Sequence, residues 1–151
     1  MGLVEWRARL LRHRLLALDT NVLIYHLESD RRFGALANAT LELIASGKTA
    51  GVTSSITMTE LLIPAYRAGD EPRVDAIFAA ATMLPGLRWL APDLDIADRA
   101  ARLRAQWRLR APDALQAATA EAAGATAIVT NDTAFARLPG LEALILGRWL
   151  R

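Results

Sequence analysis

Short apolar segments alternate with longer segments of helical periodicity along this chain. Residues 15–18 form an apolar run that stops at the turn-forming and cap-forming residues 19–21, and an apolar stretch of helical character follows over 22–27. The pattern therefore begins with a strand, a tight turn and a helix. It goes on to predict helices over 33–46, 56–67, 71–83, 95–107 and 112–124, strands over 49–53, 87–90, 125–130 and 144–146, and a short helical segment from Phe135.

The order of these elements predicts the class of fold. Strands that alternate with helices are typical of a parallel sheet whose two faces are covered by helices. We therefore expect an α/β protein with three layers, α/β/α, and a mainly parallel sheet of four to five strands. The 151 residues suit one compact domain, and no linker or internal repeat indicates a second one.

Composition narrows the chemistry that the chain can carry. It has no cysteine, which excludes disulfides, thiolate metal sites and a cysteine nucleophile, and which fits a cytoplasmic protein. No apolar run reaches the roughly 18 residues that span a bilayer, so we expect no membrane segment. The net charge is only +2, and charge alone is therefore weak support for a nucleic-acid partner.

The segment before the first strand is locally basic. Residues 1–14 carry four arginines and one acidic residue. Two interpretations are open: a solvated or poorly ordered leader ahead of a domain over 15–151, or a helix whose apolar stripe of Trp6, Leu10 and Leu11 contacts RNA or a protein partner. We expect the leader.

Four acidic residues fall near the carboxyl ends of the predicted strands. Asp19 directly follows the first strand, and Asp132 follows the fourth by two residues. Asp113 begins the helix that leads into the fourth strand, and Glu60 lies one turn into the helix after the second, among apolar neighbours. Since ligands of open parallel sheets bind beyond the carboxyl ends of the strands, we expect these carboxylates to lie together.

Gathered carboxylates indicate a bound cation. Like charges a few ångströms apart raise one another's pKa values, and without a cation some of the acids would take up protons. Ligands that are all oxygen suit Mg²⁺, with Mn²⁺ as a substitute, and magnesium keeps waters of which one can act as a nucleophile. Hydrolysis of a phosphodiester bond is the reaction that such a site favours.

Four segments in order resemble the PIN-domain ribonucleases, specifically the VapC-type toxins. The similar segments are 18–21, 53–61, 112–120 and 130–135, and the resemblance extends over Leu15–Leu146. Each segment alone is weak evidence for the resemblance, whereas the four segments in this order are specific evidence for it.

The resemblance implies more than the residues themselves establish. It implies a PIN-like fold, with the four acids as the catalytic and metal-binding residues and with Asn21 and Thr130 as polar neighbours that orient water or a carboxylate. It also implies an RNA substrate, a homodimer, and an antitoxin that occupies the groove of the active site.

Other interpretations stay open. Asp19 could only cap a helix, and Asp113 could only complement a helix dipole. A PIN-like module that binds RNA or a partner without catalysis is the non-enzymatic alternative. A DNA-directed nuclease of the flap type is the enzymatic one, although this chain lacks room for the duplex-binding insertions that it requires. A haloacid-dehalogenase-like phosphatase is disfavoured because Asn21 stands where a second aspartate is needed.

Overall fold

The computed structural model describes residues 2–150 and contains a five-stranded sheet. Every neighbouring pair of strands is parallel, and the order across the sheet is 3-2-1-4-5. This confirms the predicted parallel sheet. The strands are β1 (Leu15–Leu18), β2 (Ala50–Ser54), β3 (Leu87–Leu90), β4 (Ala127–Thr130) and β5 (Glu142–Ile145).

The helices begin and end close to where the sequence pattern places them. Asp19, Ser54 and Asp93 each accept a backbone N–H at the start of a helix, and Gly124 in the left-handed region (φ +82°) ends another. Among residues 2–150, no helix has the length and apolar character needed to cross a membrane. The helices are α1 (Leu3–Leu10), α2 (Thr20–Leu27), α3 (Gly34–Ala45), α4 (Ser55–Arg67), α5 (Glu71–Thr82), α6 (Leu94–Trp107) and α7 (Ala111–Ala123), with 3₁₀ helices at Thr133–Arg137 and Leu146–Arg148.

The two faces of the sheet carry two separate cores. Leu16 and Leu18 of β1 belong to a cluster that includes residues of α1, α2 and α3, whereas Ala17 between them belongs to a cluster with residues of α6 and α7. Successive strand residues point to opposite faces, so one strand supplies both cores. Helices therefore cover both faces, and the predicted α/β/α arrangement is confirmed.

The N-terminal segment corrects one expectation. Residues 1–14 were expected to form a solvated or poorly ordered leader, but α1 packs into the first of these cores, with Trp6 and Leu10 fully buried. The Trp6 indole N–H donates hydrogen bonds to the Leu36 carbonyl oxygen (3.0 Å) and to the Thr40 hydroxyl (3.1 Å). The physical reason is the spacing of four residues, which places both apolar side chains on one helical face.

Polar contacts tie the end of this segment to the far edge of the sheet. Arg9 forms an ion pair with Glu142 of β5. The His13 ring shares hydrogen bonds of 2.7 Å with Glu142 Oε2 and with the Thr126 hydroxyl. The segment before β1 is therefore anchored both by burial and by charge.

Candidate active site

Asp19 lies at the centre of the carboxyl edge of the sheet. It follows β1, the middle strand, and only 6% of its surface is exposed. Its Oδ1 accepts the backbone N–H of Thr20 (2.8 Å), and its Oδ2 accepts the hydroxyl of Thr130 at the end of β4 (2.7 Å). Asp19 thus caps α2, which is the structural role that the sequence left open for it. It also presents a fixed, buried carboxylate.

The environment of Asp19 disfavours its negative charge. Burial raises its pKa most, and the nearby carboxylates of Asp113 and Glu60 raise it further. The hydrogen bonds from Thr130 and Thr20 lower the pKa but do not compensate, so it moves from 3.8 to about 6. A nearby cation would therefore stabilise the ionised form of the Asp19 carboxylate.

Glu60 is held beside Asp19 through Thr20. Glu60 is half-buried, and its Oε1 accepts the Thr20 hydroxyl at 2.8 Å. The apolar surroundings expected from the sequence are present in part, because Glu60 lines a cavity of about 280 Å³ with Leu61 and Ile77 but also with Arg73.

A network of buried polar side chains lies next to Asp19 and Glu60, and the sequence did not reveal it. The side-chain amide of Gln116 donates to the hydroxyl of Thr57 at 2.7 Å, and Thr57 shares a 2.7 Å hydrogen bond with Thr53. Gln116 lies one turn after Asp113, and Thr57 one turn before Glu60. This helical spacing of three is the signal that could have pointed to both.

Asp113 is buried in the first turn of α7 and pairs with an arginine. Arg110 Nε lies 3.1 Å from Asp113 Oδ2, and Arg110 Nη2 lies 3.5 Å from Oδ1. The hydrogen bond and the charge of Asp113 raise the pKa of the guanidinium, and the more distant carboxylates of Asp132 and Glu60 raise it further. Arg110 was not among the predicted site residues.

Asp132 joins the site through Thr130. It is half-buried and caps the 3₁₀ helix, with Oδ1 accepting the Ala134 N–H at 2.8 Å. Its own backbone N–H donates to the Thr130 hydroxyl at 3.0 Å, so one threonine contacts both Asp19 and Asp132. Asn21 is half-buried in the first turn of α2, and its role in orienting water stays a prediction.

The acids share one electrostatic environment without forming a closed cage. Asp113 and Glu60 both act on Asp19, and Asp132, Asp113 and Glu60 all act on Arg110. Within residues 2–150, however, no three side chains of His, Cys, Asp or Glu stand close enough to hold a metal ion by themselves. The donor set still fits Mg²⁺ or Mn²⁺ in its chemistry, because it offers oxygen atoms only and magnesium fills part of its coordination with water.

Comparison with known proteins assigns the family. The model of the PIN domain matches residues 16–141. A toxin–antitoxin complex from Klebsiella pneumoniae has 31% sequence identity, with 83% of this chain and 94% of that chain covered and a TM-score of 0.60. Two DNA-bound complexes share the fold. VapBC2 from Rickettsia felis, bound to a promoter DNA fragment, has 22% identity and a TM-score of 0.68, with 85% of this chain and 96% of that chain covered. VapBC from Salmonella typhimurium has 23% identity and a TM-score of 0.68, with 87% of this chain and 97% of that chain covered. No curated protein matches the chain.

The matched segment contains most of the sheet and the candidate site. Residues 16–141 include the four acids and Thr130. The order of elements, the parallel sheet and the matched segment agree with one another. The chain therefore belongs to the PIN-domain family.

Proposed function

We propose that this protein is a metal-dependent endoribonuclease that hydrolyses phosphodiester bonds of RNA and that serves as the toxin of a toxin–antitoxin pair. The observation that carries the proposal is the setting of Asp19. Its carboxylate is buried at the end of the central strand, and two further carboxylates, Asp113 and Glu60, raise its pKa. Such an arrangement is costly unless a cation offsets it, and a function that uses the cation explains why the acids are gathered.

We assign Asp19, Glu60, Asp113 and Asp132 to a site for Mg²⁺, which Mn²⁺ can replace. When bound there, the cation lowers the pKa of a water and neutralises phosphate oxygens. The chain itself holds the acids in place. Thr130 fixes Asp19 and Asp132, and the Thr20 hydroxyl holds Glu60.

Glu60 and Asp132 are the two acids placed to act on water. Both are half-buried, whereas Asp19 and Asp113 are buried. A carboxylate that reaches solvent can orient an attacking water and accept its proton. Each accepts a hydrogen bond through one oxygen, Oε1 of Glu60 and Oδ1 of Asp132, so we place this role on the pair.

The proposed partners follow from the comparisons and from the resemblance. The structure that is 31% identical is a toxin–antitoxin complex. This supports a cognate antitoxin as a partner, and its position over the groove of the active site is proposed on the family resemblance. A homodimer and a cytoplasmic location are proposed on the family resemblance.

One observation favours a second candidate function. Arg110 already neutralises part of the charge of Asp113, so the acids could be maintained without a metal in a module that only binds RNA. Against this stands Asp19, because within residues 2–150 no cationic side chain is among the groups that shift its pKa.

The test is to incubate the purified protein, free of antitoxin, with total cellular RNA in Mg²⁺, Mn²⁺ or chelator, and to map new RNA ends by sequencing. Asp19→Asn is the inactive variant, and Asp98→Asn, on the exposed face of α6, is the matched control. Discrete cuts that need metal, persist in Asp98→Asn and vanish in Asp19→Asn support the nuclease. Identical RNA profiles with and without metal would favour the binding module, and cuts only in added single-stranded DNA would favour a DNA nuclease.

A further inference from the structure

Arg110 lies at the outer rim of the candidate site. It is the residue just before α7, in extended backbone, and its side chain is 76% exposed, whereas the side chain of its partner Asp113 is only 9% exposed. The acid therefore lies inside and the guanidinium outside. Arg110 is therefore the partner of this pair that is accessible to a ligand in solvent.

The acidic residues near Arg110 disfavour the approach of a negatively charged ligand. Asp113 contacts the guanidinium of Arg110, and the more distant charges of Asp132 and Glu60 also favour the cationic form. A site built of acids repels the phosphates of a nucleic acid, and a cation at its rim reduces that repulsion. A guanidinium also offers a planar fork of donors that matches the oxygens of a phosphate.

The contact between Arg110 and Asp113 leaves the guanidinium free to bind something else. Only the Nε contact, at 3.1 Å, has ordinary hydrogen-bond length, and the Nη2 contact at 3.5 Å is at the limit. Of the five N–H donors of an arginine, at least three stay available. The guanidinium can therefore bind a phosphate while its Nε keeps the hydrogen bond to the buried carboxylate of Asp113.

We propose that Arg110 is a substrate-positioning residue, which binds a phosphate group of the RNA at the rim of the site. This inference rests on the proposed function and names the group that receives the substrate. The competing explanation is that Arg110 only neutralises Asp113 at the start of α7.

The test measures binding rather than cleavage. In the Asp19→Asn background, the affinity for a fluorescent single-stranded RNA oligonucleotide is measured by anisotropy over a series of salt concentrations, in Mg²⁺ and in chelator. Arg110→Ala should weaken binding by about tenfold, and it should reduce the slope of log affinity against log salt by about 0.7, the value for one phosphate contact on a single strand. Arg110→Lys should keep the slope and weaken binding less, because it retains the charge and loses the fork.

Arg102→Ala is the matched control. Arg102 is 80% exposed and also pairs with an acid of its own helix, Asp98, but it lies on α6. It should leave both affinity and slope unchanged. Circular dichroism checks that each variant is folded, and Arg110→Lys carries the test if Arg110→Ala is not.

The outcomes distinguish the role of Arg110 from the proposed nuclease function. If Asp19→Asn binds RNA and Arg110→Ala binds it equally well with the same slope, Arg110 is only a counter-ion and the inference is overturned while the proposed function stands. If Asp19→Asn shows no affinity for RNA and the wild-type protein makes no metal-dependent cuts, both are overturned.

Discussion

The Thr130 hydroxyl donates a 2.7 Å hydrogen bond to Asp19 Oδ2, although the two residues are 111 positions apart in the chain. The contact exists because β1 and β4 are neighbours in the sheet and end at the same edge, with Leu18 paired to Val129. The same hydroxyl accepts the backbone N–H of Asp132. One short side chain thus fixes two of the four acids.

Replacing Thr130 should change the pH at which the site accepts a metal. The hydrogen bond from Thr130 lowers the pKa of Asp19, which is nevertheless about 6. Thr130→Val removes the donor at nearly constant size, so the pKa should rise further. Because metal binding needs the ionised carboxylate, the midpoint of Mn²⁺ binding measured by calorimetry over about pH 5 to 8 should move upward by about one unit. Thr130→Ser should retain the wild-type midpoint, and an unchanged midpoint in Thr130→Val would contradict this role.

Asp19→Asn should stabilise the metal-free protein at neutral pH. The folded-state pKa of about 6 lies above the unfolded value of 3.8, so the folded state binds the proton more tightly. Stability due to this proton is fully present below about pH 3.8 and is lost as the pH rises through about 6. In chelator, the free energy of unfolding is measured by urea denaturation. The gain in this free energy of Asp19→Asn over the wild type should be larger by about 2 kcal/mol at pH 7.5 than at pH 4. The comparison takes into account that asparagine has one hydrogen-bond acceptor fewer than aspartate.

A gain that is equal at both pH values would show that the charge of Asp19 is not destabilising. Asp98→Asn serves as the control, since its side chain is 66% exposed and its replacement should change the free energy of unfolding little.

Much of the fold could be predicted from the sequence because local signals agree with the tertiary arrangement. Asp19 and Ser54 are good helix caps and act as caps, and residues 16–18 of the predicted first strand are buried in the middle of the sheet. Asp19, Asp113 and Glu60 could be brought together by one rule, that parallel strands end at one edge.

Other features depend on contacts that no local pattern encodes. The pairing of Arg110 with Asp113 needs the backbone geometry at the start of α7, and an arginine three residues before an acid is common on exposed helices. The burial of Trp6 depends on α3, 30 residues away, which supplies the acceptor for its indole N–H. A basic segment at the start of a chain otherwise favours solvent.

The first helix should contribute substantially to stability. Trp6 is fully buried, its ring lies 5.5 Å from that of Trp149, and its indole N–H is satisfied. Trp6→Ala should lower the free energy of unfolding by about 3 to 5 kcal/mol, and Trp6→Phe by less, because much of the packing is kept. Denaturation followed by circular dichroism measures both. Leu11→Ala, at a position 47% exposed, is the control, and a loss below about 1 kcal/mol for Trp6→Ala would indicate that α1 is not part of the core.

The ion pairs of this segment should show a defined pH dependence. Burial raises the pKa of Glu142, but hydrogen bonds from Arg9 and His13 outweigh that effect, and the net pKa lies below 4.5. The stability from this carboxylate is therefore present above about pH 4.5 and is lost as the pH falls through the lower folded value. Glu142→Gln should cost about 0.5 to 1 kcal/mol at pH 7 and less as the pH falls below 4.5.

Glu42→Gln is the matched control for that experiment. Glu42 also pairs with an arginine of α1, Arg7, but its side chain is 62% exposed, against 33% for Glu142. Its replacement should have the smaller effect on the free energy of unfolding at every pH. Equal effects of the two variants would mean that the partial burial of Glu142 adds nothing.

The most direct test of the central claim, that the four acids form one catalytic metal site, is the rate of RNA cleavage by single variants. Asp19→Asn, Glu60→Gln, Asp113→Asn and Asp132→Asn are each compared with the wild type in Mg²⁺ and in chelator. The controls are Asp98→Asn and Glu121→Gln, two acids that pair with arginines of α6. We expect each of the four variants to lose about a hundredfold or more of a metal-dependent rate, and both controls to keep it. Cleavage that continues in chelator, or that survives replacement of any one of the four acids, would show that they do not form one such site.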